Sequence, residues 1–274
     1  MRYFSKTPGQ PLGDYVERLW HFSDAPAHSR ERIVPSGTVE LVINLQEDEV
    51  RIYDPARPDG CKRFSGAVVS GVYSGCFVID TREHASIIGV HFRAGGAFHF
   101  FDMPVSELRD THVDLETLWG AAAAELRERL CATATPAERL CLLEQALTNR
   151  LSSSLEHHSA VRFALNAFAR ADSDLIVSEI AKETGFSQRR FIQVFKQEVG
   201  MSPKLYCRVR RFQQALVLAR RQATTNWAQL ALACGYFDQS HFINEFRSFS
   251  GLSPLEYARQ RSERVLQNHV PVIV

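Results

Sequence analysis

The chain has 274 residues, 45% hydrophobic and 23% charged, with a formal net charge of +1. That balance excludes a disordered polyelectrolyte and leaves enough length for two globular domains. No apolar run approaches the ~20 residues of a membrane helix, and the opening MRYFSKTPGQPLGDY lacks the apolar core of a signal peptide, so a cytoplasmic location is expected.

The first ~110 residues read as mostly β. Val39–Leu45, Arg51–Tyr53, Val68–Val72, Cys76–Asp80 and Ile87–Phe92 are short runs, rich in β-branched and aliphatic residues, separated by Gly, Pro, Asp and Ser. Such spacing suggests a small barrel or sandwich. Glu40 interrupts an apolar strand, either as an outward alternating position or as a polar contact inside a ligand cavity. Arg93, Gly95 and Gly96 follow the Ile87–Phe92 run; the glycines allow a tight turn with exposed N–H groups, and Arg93 could pair with an anionic ligand. A turn with a structural Arg is the plainer alternative.

His91 and His99 fall at no recognised metal spacing, and Cys61, Cys76, Cys131, Cys141, Cys207 and Cys234 form neither a C-x-x-C pair nor a zinc cluster. Buried free thiols and no metal or other cofactor are expected. No Ser-His-Asp, paired-carboxylate or phosphate-loop motif stands out, so the chain is read as a non-enzyme.

From Met103-Pro104 the periodicity becomes helical. Leu115–Leu118, Ala121–Leu130 and Ala137–Leu151 carry apolar residues at helical spacing, with Leu140, Leu143, Leu147 and Leu151 on one stripe. Two antiparallel helices joined near Thr133–Pro136 are expected, their stripe packing on the β domain or, near residues 121–151, on a second subunit. The serines after Leu151 mark a domain boundary, giving domains 1–155 and 156–274. His157-His158 is read as an exposed helix start.

The C-terminal part has its own charge. Residues 160–264 hold 16 Lys and Arg against 9 Asp and Glu, net +7, whereas the remainder holds 16 against 22, net −6. Only this part has the electrostatics of a polyanion binder.

Within it, one scheme occurs twice. A short helix ends at a glycine, a capping residue follows, and a second helix buries an aromatic stripe. Shifting by 51 positions pairs Phe191-Ile192 with Phe242-Ile243, Phe195-Lys196 with Phe246-Arg247, Gly200 with Gly251, Ser202-Pro203 with Ser253-Pro254 and Tyr206 with Tyr257; the turn glycines Gly185 and Gly235 pair at a shift of 50. The second unit therefore carries one extra residue between turn and recognition helix. Ser187 and Asp238 are the expected caps. Phe191, Ile192, Phe195 and Val199 are the first buried stripe and Phe242, Phe246 and Phe249 the second, with Gln239, Ser240, His241, Asn244, Glu245, Arg247 and Ser248 off it. Pro203–Arg221 between the units would span ~28 Å as a helix, close to the ~34 Å between successive major-groove turns.

In the first reading helix Gln188, Arg189, Arg190, Gln193, Lys196 and Gln197 are left for DNA. Arg189 or Arg190 suits guanine, Gln193 suits adenine, and Lys196 lies further along at phosphate distance. In the second, Gln239, Ser240, His241, Asn244 and Arg247 occupy the matching positions. Lys204 and Arg208 on the connecting helix, with Arg210 and Arg211, could add backbone contacts.

The doubled unit, with A-x-x-x-G-Y-x-D-Q-S-H-F-x-x-x-F and then G-L-S-P-x-x-Y, closely resembles the AraC/XylS family of bacterial transcription regulators over about Ser159–Arg261. Asn244 stands where family members usually carry Arg, which bears on base preference and not on fold. P-S-G-T-V-E-L-V-I-N-L, I-G-V-H-F-R-A-G-G-A and F-D-M-P-V-S-E-L resemble the sensor half of one subgroup. The resemblance implies an α+β chain: a β-rich barrel-like domain with a helical pair, then an all-α double helix-turn-helix domain. It implies a sequence-specific regulator of promoter DNA, controlled by a small-molecule effector in the N-terminal domain, for which Glu40, Arg93, Gly95 and Gly96 are the candidate contacts, and a partner of RNA polymerase if it acts as an activator. The alternative is a DNA-tethered enzyme or a protein-interaction module built on the β domain.

Overall fold

A computed structural model describes residues 2–23, 30–81, 85–151, 157–170, 177–221, 226–260 and 268–272. The β strands are β1 (Arg2–Lys6), β2 (Val16–Ser23), β3 (Arg30–Ile33), β4 (Glu40–Asn44), β5 (Glu49–Asp54), β6 (Arg57–Ser65), β7 (Ala67–Ser70), β8 (Phe77–Asp80), β9 (Ser86–Phe92) and β10 (His112–Asp114). Helices α1 (Leu115–Trp119), α2 (Ala121–Ala132) and α3 (Pro136–Arg150) follow. The second half holds α4 (Ser159–Arg170), α5 (Val177–Glu183), α6 (Gln188–Val199), α7 (Pro203–Arg221), α8 (Trp227–Ala233), α9 (Gln239–Ser250) and α10 (Pro254–Gln260), and ends in β11 (His269–Pro271). The class is α+β. The boundary expected at residue 155 lies outside the described residues.

Two antiparallel sheets face each other, one in the order β1-β2-β9-β4-β7-β10 and the other β11-β3-β8-β5-β6. Alternation gives each strand of the first sheet two faces. Leu19, Leu41, Ile43, Val69, Ile88 and Val90 join a core shared with the helices, while Val68 and Val42 meet Val50, Ile52 and Ile79 in a smaller core. The leucine stripe of α3 is used up inside the chain: Leu140, Leu143 and Leu147 are buried, with α3 packed on β1 and β2. These leucines therefore belong to the core of the chain itself. The helix is started by a capping box in which Thr135 Oγ1 accepts from Glu138 N and Glu138 accepts from Thr135 N.

The thiols differ from expectation. Only Cys234 is buried; Cys131 and Cys141 are exposed on α2 and α3, and all six are free. Among the described residues no group of three His, Cys, Asp or Glu side chains is placed to hold a metal, and no helix is long and apolar enough to cross a membrane.

The helical half docks on the β half at several points. His157 is not an exposed helix start: it is half-buried, its Nδ1 lies 2.9 Å from Glu198 Oε2 of α6, and His158 N donates to Glu198 Oε1. On α7, Gln213 Nε2 donates to Pro35 O. The C-terminal β11 adds to the edge of β3, with Val34 N donating to Asn268 O at 3.0 Å, Val272 N donating to Arg30 O at 2.9 Å and His269 2.7 Å from Glu31.

Gly200, which ends α6 with φ +87°, makes the closest glycine approach between the two halves. A Cβ there would lie 2.5 Å from Val72 Cγ2 and 2.9 Å from Val105 Cγ1. Gly185 also has positive φ but faces open space. Gly200→Ala adds a clash to the left-handed strain and is expected to cost about 2–4 kcal/mol in denaturant unfolding, against about 1 kcal/mol for Gly185→Ala.

Candidate nucleic-acid interface

Each reading unit is built by the same local devices. The turn glycines Gly185 and Gly235 have φ +73° and +74°, and the next residue returns a hydrogen bond to the preceding helix, Phe186 N to Ala181 O and Tyr236 N to Ala231 O. Ser187 then caps α6 by accepting from Arg190 N at 3.3 Å, and Asp238 caps α9 by accepting from His241 N at 2.7 Å. Both helices end in left-handed glycines, Gly200 and Gly251.

The buried faces follow the aromatic pattern with three revisions, at Val194, Ile192 and Glu245. In α6 Phe191, Val194, Phe195 and Val199 are buried, and Ile192 is only half-buried. In α9 Phe242, Phe246 and Phe249 are buried as the spacing predicts, but so is Glu245, which the same spacing places off the stripe. Its carboxylate receives Arg208 Nε at 2.5 Å and lies 3.8 Å from Arg211 Nε, both from α7. Arg208 also sits over the Phe249 ring. Arg208 thus joins the spacer helix to the second reading helix through its Nε.

The remaining polar side chains face solvent. Gln188, Arg189, Arg190, Gln193, Lys196 and Lys204 are exposed, with Gln197 half-buried, and Gln239, Ser240, His241, Asn244 and Arg247 are exposed on α9. Arg190 Nη1 donates to Gln193 Oε1 at 3.3 Å, which orients two of the base-reading candidates together and leaves further guanidinium donors available. The spacer α7 is 19 residues, ~28 Å long.

Burial governs the titrating groups around these helices. It pushes the Tyr206 hydroxyl up to about 12 and the Cys234 thiol up to about 11, so both are neutral packing groups at physiological pH.

Comparison with known proteins agrees with this geometry. Residues 180–260 match a family model described as a helix-turn-helix domain, and residues 5–114 match a domain of unknown function, DUF6597. The chain is 32% identical over 118 residues to the HTH-type transcriptional regulator ArgR of Pseudomonas aeruginosa, covering 42% of this chain and 34% of that protein. Residues 180–260 carry a helix-turn-helix domain. An AraC-type regulator structure from Chromobacterium violaceum is similar at 28% identity, covering 39% of this chain and 95% of that one with a TM-score of 0.35. ToxT from Vibrio cholerae is similar over 94% of this chain and 98% of its own at 9% identity, TM-score 0.47. The chain spans about a third of the length of the curated relatives it matches, 34% and 30% for two of them.

Ahead of the helix-turn-helix domain, the β half holds a row of polar side chains of which only Glu40 and His91 stand out in the sequence. In the register of the sheet Arg18 stands opposite His91, His91 opposite Glu40, Glu40 opposite Ser70 and Ser70 opposite His112, across five adjacent strands. Glu40 Oε1 is 3.3 Å from His91 Nδ1. Burial pulls His112 down to about 3, so it is a neutral base at the end of the row. Arg18, Glu40 and His91 line a cavity of about 760 Å³ whose opposite wall is Tyr206, Arg210 and Gln213 of α7, with His269 of β11.

The other three effector candidates sit elsewhere. Arg93 Nε donates to Gly13 O at 2.9 Å. Gly95, at φ +79°, lies against His157, and a Cβ on Gly96 would overlap the Tyr15 carbonyl. Close backbone packing accounts for this Arg-Gly-Gly segment, and of the four candidates only Glu40 lines the cavity.

Proposed function

We propose that this chain is a sequence-specific DNA-binding transcription regulator that reads two successive major grooves of one duplex. The observation that carries it is the pair of like-capped helices, α6 and α9, whose aromatic faces are buried and whose Gln, Arg, Asn, Ser and Lys side chains are exposed. Arg suits guanine and Gln or Asn suits adenine in the major groove, while Lys196, Lys204 and Arg247 suit phosphates. The buried face fixes each helix, so base contacts need little reordering of the backbone.

The N-terminal domain is the site of control. A small molecule in the cavity would touch Glu40 and His91 on the sheet and Arg210 and Gln213 on α7, the helix that spaces the two reading units. Occupancy could then bias the reading heads through a shared wall, without a long relay. RNA polymerase is the expected protein partner if the regulator activates.

Selection from a randomised duplex pool tests the reading. The full chain is expected to enrich one sequence, with affinity falling steeply as salt rises. Enrichment of no sequence, or salt-independent retention, would overturn it.

A further inference from the structure

The second unit differs from the first by one inserted residue, and the structure identifies it. Phe186 and Tyr236 make the same backbone bond after their glycines, so Phe237, between Tyr236 and the cap Asp238, is the addition. Its side chain is 88% exposed, whereas that of Tyr236 beside it is 2% exposed and packs against Phe242 at 5.1 Å between ring centroids. The insertion thus turns a large aromatic outward at the N-terminal end of α9, next to Gln239 and Ser240.

An aromatic held in water gains by being covered. In this arrangement the N-terminal residues of a recognition helix are those that approach base edges. The apolar group presented in the major groove is the C5 methyl of thymine, and Phe is among the side chains suited to it. We propose that Phe237 is a specificity-determining residue of the second reading unit, packing on the methyl of a thymine beside the base pairs met by Gln239 and Ser240. This rests on the DNA-binding function proposed above.

The test uses the full chain and the duplex it selects from a random pool, with each thymine replaced singly by deoxyuridine, which lacks only the methyl. One replacement is expected to weaken the wild-type protein about fourfold, the transfer value of one buried methyl group. Phe237→Ala should lose a similar factor on the thymine duplex, become indifferent to that deoxyuridine, and melt at the wild-type temperature, since the side chain packs on nothing. Phe237→Leu should retain part of the discrimination. Equal affinity of Phe237→Ala and wild type, or a loss shared by every sequence with no position dependent on the methyl, overturns the proposal alone. A pool that yields no preferred duplex overturns the DNA-binding function and this proposal with it.

Discussion

Glu245→Ala is expected to destabilise the C-terminal domain by about 3 kcal/mol in urea unfolding, although Glu245 lies on a helix whose neighbours Asn244 and Arg247 are solvent-exposed. Its carboxylate is 3% exposed and gathers Arg208 and Arg211 from α7. Removing it leaves two guanidinium groups facing each other without the anion between them. Arg208 is the more exposed of the two and can turn to water, so the estimate sits at the low end for breaking a buried pair. Arg208→Ala should also destabilise, and the double variant should cost less than the sum of the single ones, since the second change removes an interaction already lost. A Glu245→Ala effect within about 0.5 kcal/mol of zero, the range of surface substitutions, would mean the pair does not hold α7 to α9.

Arg190→Ala is expected to weaken binding to the selected duplex by about 10- to 100-fold and to relax the choice of base at one position. Arg190 is exposed in the first turn of α6 and shares a hydrogen bond with Gln193. Lys204→Ala should instead lower affinity on matched and scrambled duplexes alike and reduce the slope of log affinity against log salt by about one. Titrations of both variants on both duplexes over a salt series separate the two roles; identical behaviour would abolish the distinction between base reading and phosphate contact. Arg208→Ala, by contrast, should act through stability.

Much of the C-terminal half is legible in the sequence because its signals are local. A glycine at positive φ, a cap two or three residues later and aromatics at helical spacing are all written within ~15 residues, and the doubling at a shift of 51 makes each unit a control on the other. The five β-branched runs likewise fall on β4, β5, β7, β8 and β9. β2 and β6 were missed because Val16–Ser23 and Arg57–Ser65 mix charged and apolar residues without clean alternation, and both carry register shifts. β11 has three residues, and its pairing with β3 is decided by tertiary docking.

What escaped the sequence is what depends on register or on distant partners. Arg18, His91, Glu40, Ser70 and His112 form a row only once five strands are aligned. Glu245 reads as surface until α7, some 35 positions earlier, brings its arginines. Arg93, Gly95 and Gly96 leave a ligand loop and a plain turn with a structural Arg both open, because tight turns and anion cradles use the same residues; here Tyr15, Gly13 and His157 pack against the segment, as the plainer alternative expects.

The most direct measurement is hydroxyl-radical footprinting of the full chain on its selected duplex, repeated with the base pairs under one protected stretch scrambled. Two protected stretches about one helical turn apart are expected, one weakened by Arg190→Ala and the other by Asn244→Ala, with scrambling of either leaving the other occupied at higher protein concentration. A single protected stretch lost in both variants, or protection that ignores sequence, would contradict two tandem heads reading one duplex.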